Sequence, residues 1–525
     1  MNATAEESRD RGPQQDGRHG WRCLPLALGV LTLVFLASLF IHTCGNDFPY
    51  QFHPDERTKG QQIQQGSRNF LHPQLLLECT HLVVGNPEGQ SLQELIETGR
   101  WVSAVFAAVG VSALAWIGYL EFGLIGLLLV GTSVVLCPAL VPYAHYMKED
   151  AALVMGVGLL MLAGRWFTAA ASRRERLVAA LALGAAAGLA TSGKYIGILA
   201  LLPMLAWILG GGTQAVRPAR AWCVLLALLA AVAVVLLVNH RVFEAVHTFA
   251  KAIRFESGHS LRGQKEGGLT RPNAYFLEAV VTDTNVFMLA CAALFAGVAL
   301  IRRSERTPWN TVAIGFTALF LAVLSFSSIP FHRYVLPVIV LCHLWGGLGL
   351  VMLVRRGGCR WTQAGVVVLA LGAVLATCGA RTMDFVDQFQ DDSRVRLRYW
   401  LREHANPDAL VAAEYYSGLY EKDNTRWCMP GSGARVCALF KHSFENALQA
   451  GVRHAVLCEP GYDRYLSPHT RGVKGKEGEY DRRRRLLKDI RERGRLVWSS
   501  DEDGRANMHA LTNPLIQVYE LPGPP

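Results

Sequence analysis

Charged side chains are scarce in this chain of 525 residues, where Asp, Glu, Lys and Arg together make up only 18%. Soluble globular domains carry about 25% charged residues. Hydrophobic residues account for 51% of the sequence, and the mean hydropathy is +0.22. This composition excludes an ordinary soluble enzyme and predicts a polytopic α-helical membrane protein with a soluble part.

Common cofactor and nucleic-acid motifs are also missing. The sequence has no CxxC pair and no clustered His and Cys residues of the kind that bind zinc. It has no P-loop and no strand-borne GxGxxG motif for a nucleotide. The excess of 52 Lys and Arg over 42 Asp and Glu is directed at the membrane, so we expect no nucleic-acid partner.

The twelve cysteines are scattered, and most lie in apolar runs as small hydrophobic residues. Cys428 and Cys437 flank a short loop that contains Pro and Gly, which makes them candidates for a disulfide. Cys458 is then left over.

Apolar runs of about 20 residues predict transmembrane helices. Eleven such runs lie at 23–44, 101–119, 122–142, 150–168, 177–193, 195–211, 221–239, 277–301, 310–328, 334–354 and 361–380. The pair 177–193 and 195–211 is the least regular, because Lys194 interrupts it.

Arginines mark the alternate loops that the positive-inside rule assigns to the cytoplasm. They are Arg9, Arg11, Arg18, Arg22, Arg173, Arg174, Arg176, Arg217, Arg220, Arg302, Arg303, Arg306, Arg355, Arg356 and Arg360. We therefore expect a multi-pass protein of the inner (plasma) membrane with a cytoplasmic N-terminal tail at 1–22. The transmembrane domain then covers 23–380, with outer loops at 45–100 and 240–276.

The tail at 381–525 differs abruptly in composition and is long enough for its own core. A helix is predicted at 392–405 and a basic helix at 481–493. Strands are predicted at 410–414, 454–458, 496–499 and 515–521. An odd number of spans places this α/β domain on the extracytoplasmic side.

Two adjacent carboxylates, Asp55 and Glu56, follow the first span in the sequence His53-Pro54-Asp55-Glu56. A carboxylate near the bilayer is tolerated mainly when it is paired, binds a metal or handles protons. A solvated loop is the alternative interpretation.

Three more short motifs fall at predicted outer helix ends, at 145–150, 193–195 and 332–337. Each carries a cation, namely Lys148, Lys194 or Arg333. Asp150 also suits a helix N-cap, and Lys148 also suits a side chain that reaches towards the membrane surface. Because all these motifs share one predicted face, they favour a single composite site.

With these motifs, residues 23–380 resemble the C-type (GT-C) membrane glycosyltransferases, in particular the bacterial family 39 relatives of dolichyl-phosphate-mannose-protein mannosyltransferases. The resemblance implies transfer of a sugar, hexosyl or pentosyl, from a polyprenyl-phosphate donor lying in membrane lipid. The acceptor is then an extracytoplasmic protein, lipid or envelope glycan.

The resemblance also implies roles for individual residues. Asp55 is the candidate base of an inverting displacement, and Glu56 is the second choice. Either carboxylate is a candidate ligand for a divalent cation such as Mg²⁺ or Mn²⁺, although no cofactor is certain. The candidates for binding the donor phosphate are Lys148, Lys194 and Arg333. Further site candidates are His53, His145, Asp150, Tyr195, His259, His332 and Tyr334.

A polytopic transporter or lipid flippase with an extracytoplasmic domain is the alternative. Transporters usually carry polar groups near the bilayer midplane on interrupted helices. Here the charges lie at helix ends, and only His343 is well inside a span, where a hydrogen-bonded core histidine is the commoner explanation. This distribution favours the enzyme.

Overall fold

The computed structural model of the chain describes residues 17–210, 217–263, 266–303, 305–356, 360–406, 408–419, 427–428, 435–501 and 511–523. They form a helical bundle followed by a domain built on a β-sheet. The bundle contains α1 (Gly17–Thr43), α2 (Glu56–Gln65), α3 (Leu75–Val84), α4 (Leu92–Val135), α5 (Leu140–His145), α6 (Glu149–Ala169), α7 (Arg173–Gly193), α8 (Leu201–Gly210), α9 (Arg217–Val238), α10 (Val246–Arg262), α11 (Pro272–Thr284), α12 (Val286–Ile301), α13 (Pro308–Leu324), α14 (Leu336–Arg355), α15 (Arg360–Val374) and α16 (Ala380–Gln390).

Seven helices in these ranges are long and apolar enough to cross a membrane, or eight if α11 and α12, which are bent by 105°, form one span. The prediction of a polytopic helical membrane protein is therefore confirmed. The number is below the predicted eleven because five predicted segments do not stand as separate long helices, and two of these five count together as one helix. Two are joined within α4, the segment 277–301 is bent, and the helices at 195–211 and 310–328 are short.

The chain reverses direction inside α4 at Gly123, whose φ of +67° suits glycine. A Cβ atom built on Gly118 would lie only 2.4 Å from the carbonyl oxygen of Gly126. In one straight helix these two residues would be about 12 Å apart along the axis. The predicted segments 101–119 and 122–142 are therefore packed neighbours.

The loop after α1 contains the helix α2, although its apolar spacing is poor and glutamines dominate it. A Cβ atom on Gly60 would lie 2.6 Å from Cδ1 of Leu92, so a larger residue there would force the Leu92 side chain to shift. Ile63 is fully buried. Packing against α4 therefore places the N-terminal end of α2, where Asp55 and Glu56 lie.

The sheet domain contains α17 (Ser393–His404), α18 (Phe444–Gln449), α19 (Glu459–Leu466), α20 (Glu477–Arg493), β2 (Leu410–Ala413), β3 (Trp427–Cys428), β4 (Arg435–Ala438), β5 (Val452–Cys458), β6 (Thr470–Gly472), β7 (Arg495–Ser499) and β8 (Ile516–Glu520). Six strands form a mixed sheet in the order β3-β4-β2-β5-β8-β7. The central strands β4, β2 and β5 are parallel. The predicted α/β domain is confirmed.

Alternate residues of the central strands face opposite sides of the sheet. Val411 and Val456 pack against Leu397 of α17, whereas Ala412 and Leu457 belong to the core beneath α18 and α20. The predicted boundary at 380/381 falls within a helical stretch that continues to the end of α16. The side chain of Cys428 lies outside the described residues, so the disulfide stays a prediction.

Buried contacts hold the sheet domain against one end of the bundle, called the domain face below. The guanidinium of Arg394, 1% exposed, donates to the carbonyl oxygen of Phe52 at 2.5 Å and pairs with Asp392 at 2.6 Å. The hydroxyl of Tyr146 donates to the carbonyl oxygen of Leu511 at 3.2 Å. The first loop after α1 is therefore fixed by the sheet domain.

The loop at 240–276 adds a second connection between the two parts. It contains α10 and β1 (Gly267–Leu269), and β1 pairs antiparallel with β6 of the sheet domain. Glu266 accepts a hydrogen bond from the Tyr465 hydroxyl at 2.9 Å and pairs with Arg483 at 3.3 Å. This loop bridges the two parts of the protein.

Candidate active site

A cavity of about 570 Å³, the first cavity below, lies at the domain face between the bundle and the sheet domain. Its volume is typical of small-molecule sites. The bundle lines it with Asp55, Lys59 and Arg333, and the sheet domain lines it with Arg464 and Tyr416. The site is thus built from both parts of the chain.

Asp55 forms an ion pair with Lys148 at this cavity. The lysine side chain is 2% exposed, whereas that of the aspartate is 39% exposed. Lys148 is held at the start of α6, where its backbone N–H donates to Ser103 Oγ at 3.2 Å. The carboxylate is therefore the accessible member of a pair whose cation is buried.

The electrostatics around Asp55 keep it ionised. Burial alone would raise its pKa, but Lys148, His53, Arg333 and Lys59 together outweigh burial, and the pKa lies well below its usual range. The backbone N–H of Asp55 donates to Nδ1 of His53 at 3.2 Å, which places the proton of that neutral ring on Nε2. Burial and the nearby Lys148 lower the pKa of His53 well below its usual value.

Two more lysine–carboxylate pairs lie beside this one. Lys59 Nζ is 2.6 Å from Glu149 and donates to the Met147 carbonyl oxygen at 2.8 Å. Lys194 Nζ is 2.5 Å from Asp150. Asp150 is thus bound by a lysine, and the N-cap position of α6 belongs to Lys148.

Arg333 differs from these lysines. Its guanidinium lies 4.2 Å from the ring centre of Phe331 and 5.9 Å from that of Tyr334. Within the described part of the chain, no carboxylate lies within 4.0 Å of it. An arginine stacked on aromatic rings keeps its planar donors in position for a phosphate or carboxylate.

Glu56 does not line the first cavity. Its oxygens accept hydrogen bonds from Arg100 at 2.6 and 2.9 Å and from the backbone N–H of Met147 at 2.8 Å. Glu56 and Arg100 are both fully buried. This arrangement suits a brace between α2, α4 and the start of α6.

The predicted site residues outside the ion pairs divide into two groups. Tyr195 donates to the Phe70 carbonyl oxygen at 2.7 Å, and both ring nitrogens of His145 lie near backbone carbonyls, at 2.9 and 3.0 Å. Those two residues do not line the first cavity. His259 of α10 does line the first cavity. The Tyr334 ring does not line it and lies beneath Lys194, whose Nζ is 4.6 Å from the ring centre.

A second cavity of about 440 Å³ adjoins the first. The two share Phe331, Arg333, Arg464 and Leu511 as lining residues. His53 and His332 line the second cavity, and Nδ1 of His332 lies 2.9 Å from Asp283. The structure therefore brings His53 and Asp55 to neighbouring cavities.

The residues suggested for a divalent cation do not fit such an ion together. The Glu56 carboxylate is occupied by Arg100 and a backbone N–H, and the Asp55 carboxylate faces Lys148. Among the described residues, no group of three His, Cys, Asp or Glu side chains is arranged to hold a metal.

Sequence reasoning missed Lys59, Glu149 and Arg464. Glu149 stands in the motif 145–150 that was recognised, and its position at a helix start beside Lys148 was an available signal. Arg464 lies in the short helix α19 and has no local signal. Only the docking of the sheet domain brings it to the cavity.

Comparisons with known proteins identify the fold. The sequence matches no family model and no curated protein. The structure is similar to that of ArnT from Cupriavidus metallidurans in the apo state, with a TM-score of 0.52 and 14% identity over 95% of this chain and 98% of that one.

ArnT from the same organism bound to undecaprenyl phosphate gives a TM-score of 0.51 and 16% identity over 84% of this chain and 94% of that one. The oligosaccharyltransferase AglB from Archaeoglobus fulgidus, in complex with an inhibitory peptide and a dolichol-phosphate, gives a TM-score of 0.50 and 10% identity. That match covers 85% of this chain and 71% of AglB. The chain therefore has the fold of the GT-C membrane glycosyltransferases. The finer assignment to family 39 stays a prediction.

Proposed function

We propose that the protein is a membrane glycosyltransferase that moves a sugar from a polyprenyl-phosphate carrier to an acceptor at the domain face. The observation that carries the proposal is the Asp55–Lys148 pair beside Arg333 at one cavity. An ArnT of the same fold was solved with undecaprenyl phosphate bound, which supports a polyprenyl-phosphate donor.

The cations at the cavity suit the leaving group. When the bond between the anomeric carbon and the phosphate oxygen breaks, the phosphate keeps the electron pair and gains negative charge. Preorganised cations stabilise such developing charge. Arg333 is the primary phosphate ligand in this proposal, because it has no competing carboxylate within 4.0 Å in the described part of the chain, and Lys148 and Lys194 assist it.

Asp55 is the proposed base for a hydroxyl acceptor. The acceptor oxygen attacks the anomeric carbon from the face opposite to the phosphate, and its proton passes to the carboxylate, which gives inversion. A donor phosphate that shares Lys148 with Asp55 weakens the hold of the lysine on the carboxylate. The pKa of Asp55 then moves up towards a value suited to a base.

The arginine distribution supports an orientation in which the domain face is extracytoplasmic and the N-terminus cytoplasmic, in the plasma membrane. The donor lipid then lies among the helices. Whether the transferred sugar is a hexose or a pentose is decided by which donor the protein consumes.

The test is donor consumption. Membranes containing the protein are incubated with a panel of radiolabelled polyprenyl-phosphate hexoses and pentoses, and with control membranes that contain an Arg333→Ala variant. We expect the protein to consume one donor and the variant to lose most of that activity. Movement of labelled donor across the membrane without consumption would support the flippase instead and refute the transferase.

A further inference from the structure

The second cavity contains acidic groups that the proposed donor site does not need. Glu278 of α11 and both Glu459 and Asp463 of α19 line it, and none of them lines the first cavity. The cations Arg333 and Arg464 line both cavities and so form the wall between them. Among the described residues that line the second cavity, the Lys and Arg side chains are these two, on the side towards the proposed phosphate site.

Glu459 is the most informative of these acids. Glu459 is only 5% exposed, and its Oε2 atom has no hydrogen-bond partner among the described residues. The backbone N–H of Glu459 donates to the Leu515 carbonyl oxygen at 2.9 Å, which fixes the start of α19. A buried carboxyl oxygen without a partner is costly, so it indicates a group that is missing from the site.

The chemistry of the cavity limits what that group is. The Glu278 and Asp463 carboxyl groups disfavour a phosphorylated or otherwise anionic ligand. Burial and the neighbouring Asp463 raise the pKa of Glu459 to about 8, so near neutral pH its carboxyl group both donates and accepts hydrogen bonds. Tyr143 and Tyr275 add aromatic surface with hydroxyl groups to the same cavity.

His53 connects this cavity to the base. It lines the second cavity while its Nδ1 accepts the backbone N–H of Asp55. A hydroxyl group bound in the second cavity therefore lies next to His53, and His53 contacts the proposed base Asp55. The cavity is suitably placed for an acceptor rather than for the donor lipid.

We propose that the second cavity binds a carbohydrate part of the acceptor that carries hydroxyl or amino groups and no phosphate, with Glu459 and Asp463 bonded to those groups. This inference rests on the proposed transferase function and names its acceptor class. Peptide and phosphorylated acceptors are the alternatives that the experiment distinguishes.

The test uses membranes with the full-length protein and the radiolabelled donor that it consumes. Methyl glucoside, methyl glucosaminide, methyl glucoside 6-phosphate and a serine-containing peptide are offered at equal concentration. Transfer of label to each probe and release of free sugar by water are both measured. We expect transfer to the first two probes, which lack phosphate, and at least about tenfold less to the other two.

Two variants test the residues themselves. Glu459→Ala and Asp463→Asn are each expected to lower the ratio of transfer to hydrolysis at least about tenfold. Asp463 is exposed and keeps the test usable if the buried variant does not fold. The matched control is Glu492→Gln, an exposed acid of α20 that lines neither cavity, and its ratio should stay that of the parent.

Equal or better transfer to the phosphorylated probe or to the peptide would overturn the inference. So would unchanged ratios in both variants. In either case donor is still consumed, so the proposed function stands. If the parent protein consumes no donor at all, the proposed function fails, and the inference fails with it.

Discussion

Replacing Asp55 by asparagine is the sharpest test of the proposed chemistry. The amide keeps the size of the side chain and most of its hydrogen bonds, but it cannot take a proton from a hydroxyl acceptor. A positioned base is worth roughly 10²- to 10⁴-fold in rate. That range corresponds to about 3 to 5 kcal/mol of barrier height.

The geometry of the ion pair predicts whether the loss of rate appears in kcat or in the KM of the donor. The variant leaves the Lys148 side chain, which is 2% exposed, without its carboxylate. An incoming phosphate then meets an unpaired cation, so donor binding should be kept or become tighter. The loss should therefore fall on kcat and leave the KM of the donor unchanged or lower.

The assay is steady-state transfer from a labelled donor to a hydroxyl acceptor in detergent-solubilised protein. Glu121→Gln is the matched control, because it removes the carboxylate of a partly exposed ion pair with Arg165 that lines neither cavity. The control should keep activity within about twofold, since surface ion pairs contribute little. Near-full activity of Asp55→Asn on a hydroxyl acceptor would refute its role as base.

Four further predictions concern other parts of the molecule. Glu56→Gln should lower the thermal stability and should not be rescued by added Mg²⁺ or Mn²⁺, because the carboxylate braces a buried arginine; metal rescue would contradict this. Arg333→Ala should raise the KM of the donor more than that of the acceptor, and Arg333→Lys should restore only part of the loss, whereas equal effects on both substrates would make Arg333 an anchor. An alkaline phosphatase fusion after Gln390 should be active and one after Arg356 inactive, and the opposite pattern would reverse the orientation. Burial and its acidic neighbour raise the pKa of Glu459 from 4.5 to about 8, so its contribution to stability is complete below about pH 4.5 and is lost as the pH rises to about 8. The Tm of Glu459→Gln minus that of the parent should therefore be higher at pH 8 than at pH 5. An equal Tm difference at both pH values would show that this group does not titrate in that range.

The helical membrane class was predictable because it depends on local composition. Runs of apolar residues and the arginines between them are read without knowing which helices touch. The count of spans was less predictable. The turn at Gly123 and the bend between α11 and α12 depend on packing between helices, which hydropathy does not describe.

The candidate site was predictable in part. Asp55, Lys148 and Arg333 stood in short motifs at helix ends, and the structure brings all three to one region. Glu56 was ranked beside Asp55 because the two are adjacent in sequence. In the structure they point to different partners, since successive residues at the start of a helix face different directions.

The sequence by itself determined that the chain is a helical membrane protein with an α/β domain and charged motifs at helix ends, because those properties follow from local patterns. Only the tertiary structure decided which charges meet. Asp55 and Lys148 are 93 residues apart, and Glu56 and Arg100 are 44 apart. Arg464 reaches the cavity only because Arg394 and β1 hold the sheet domain on the bundle, and such long-range contacts leave no local pattern in the sequence.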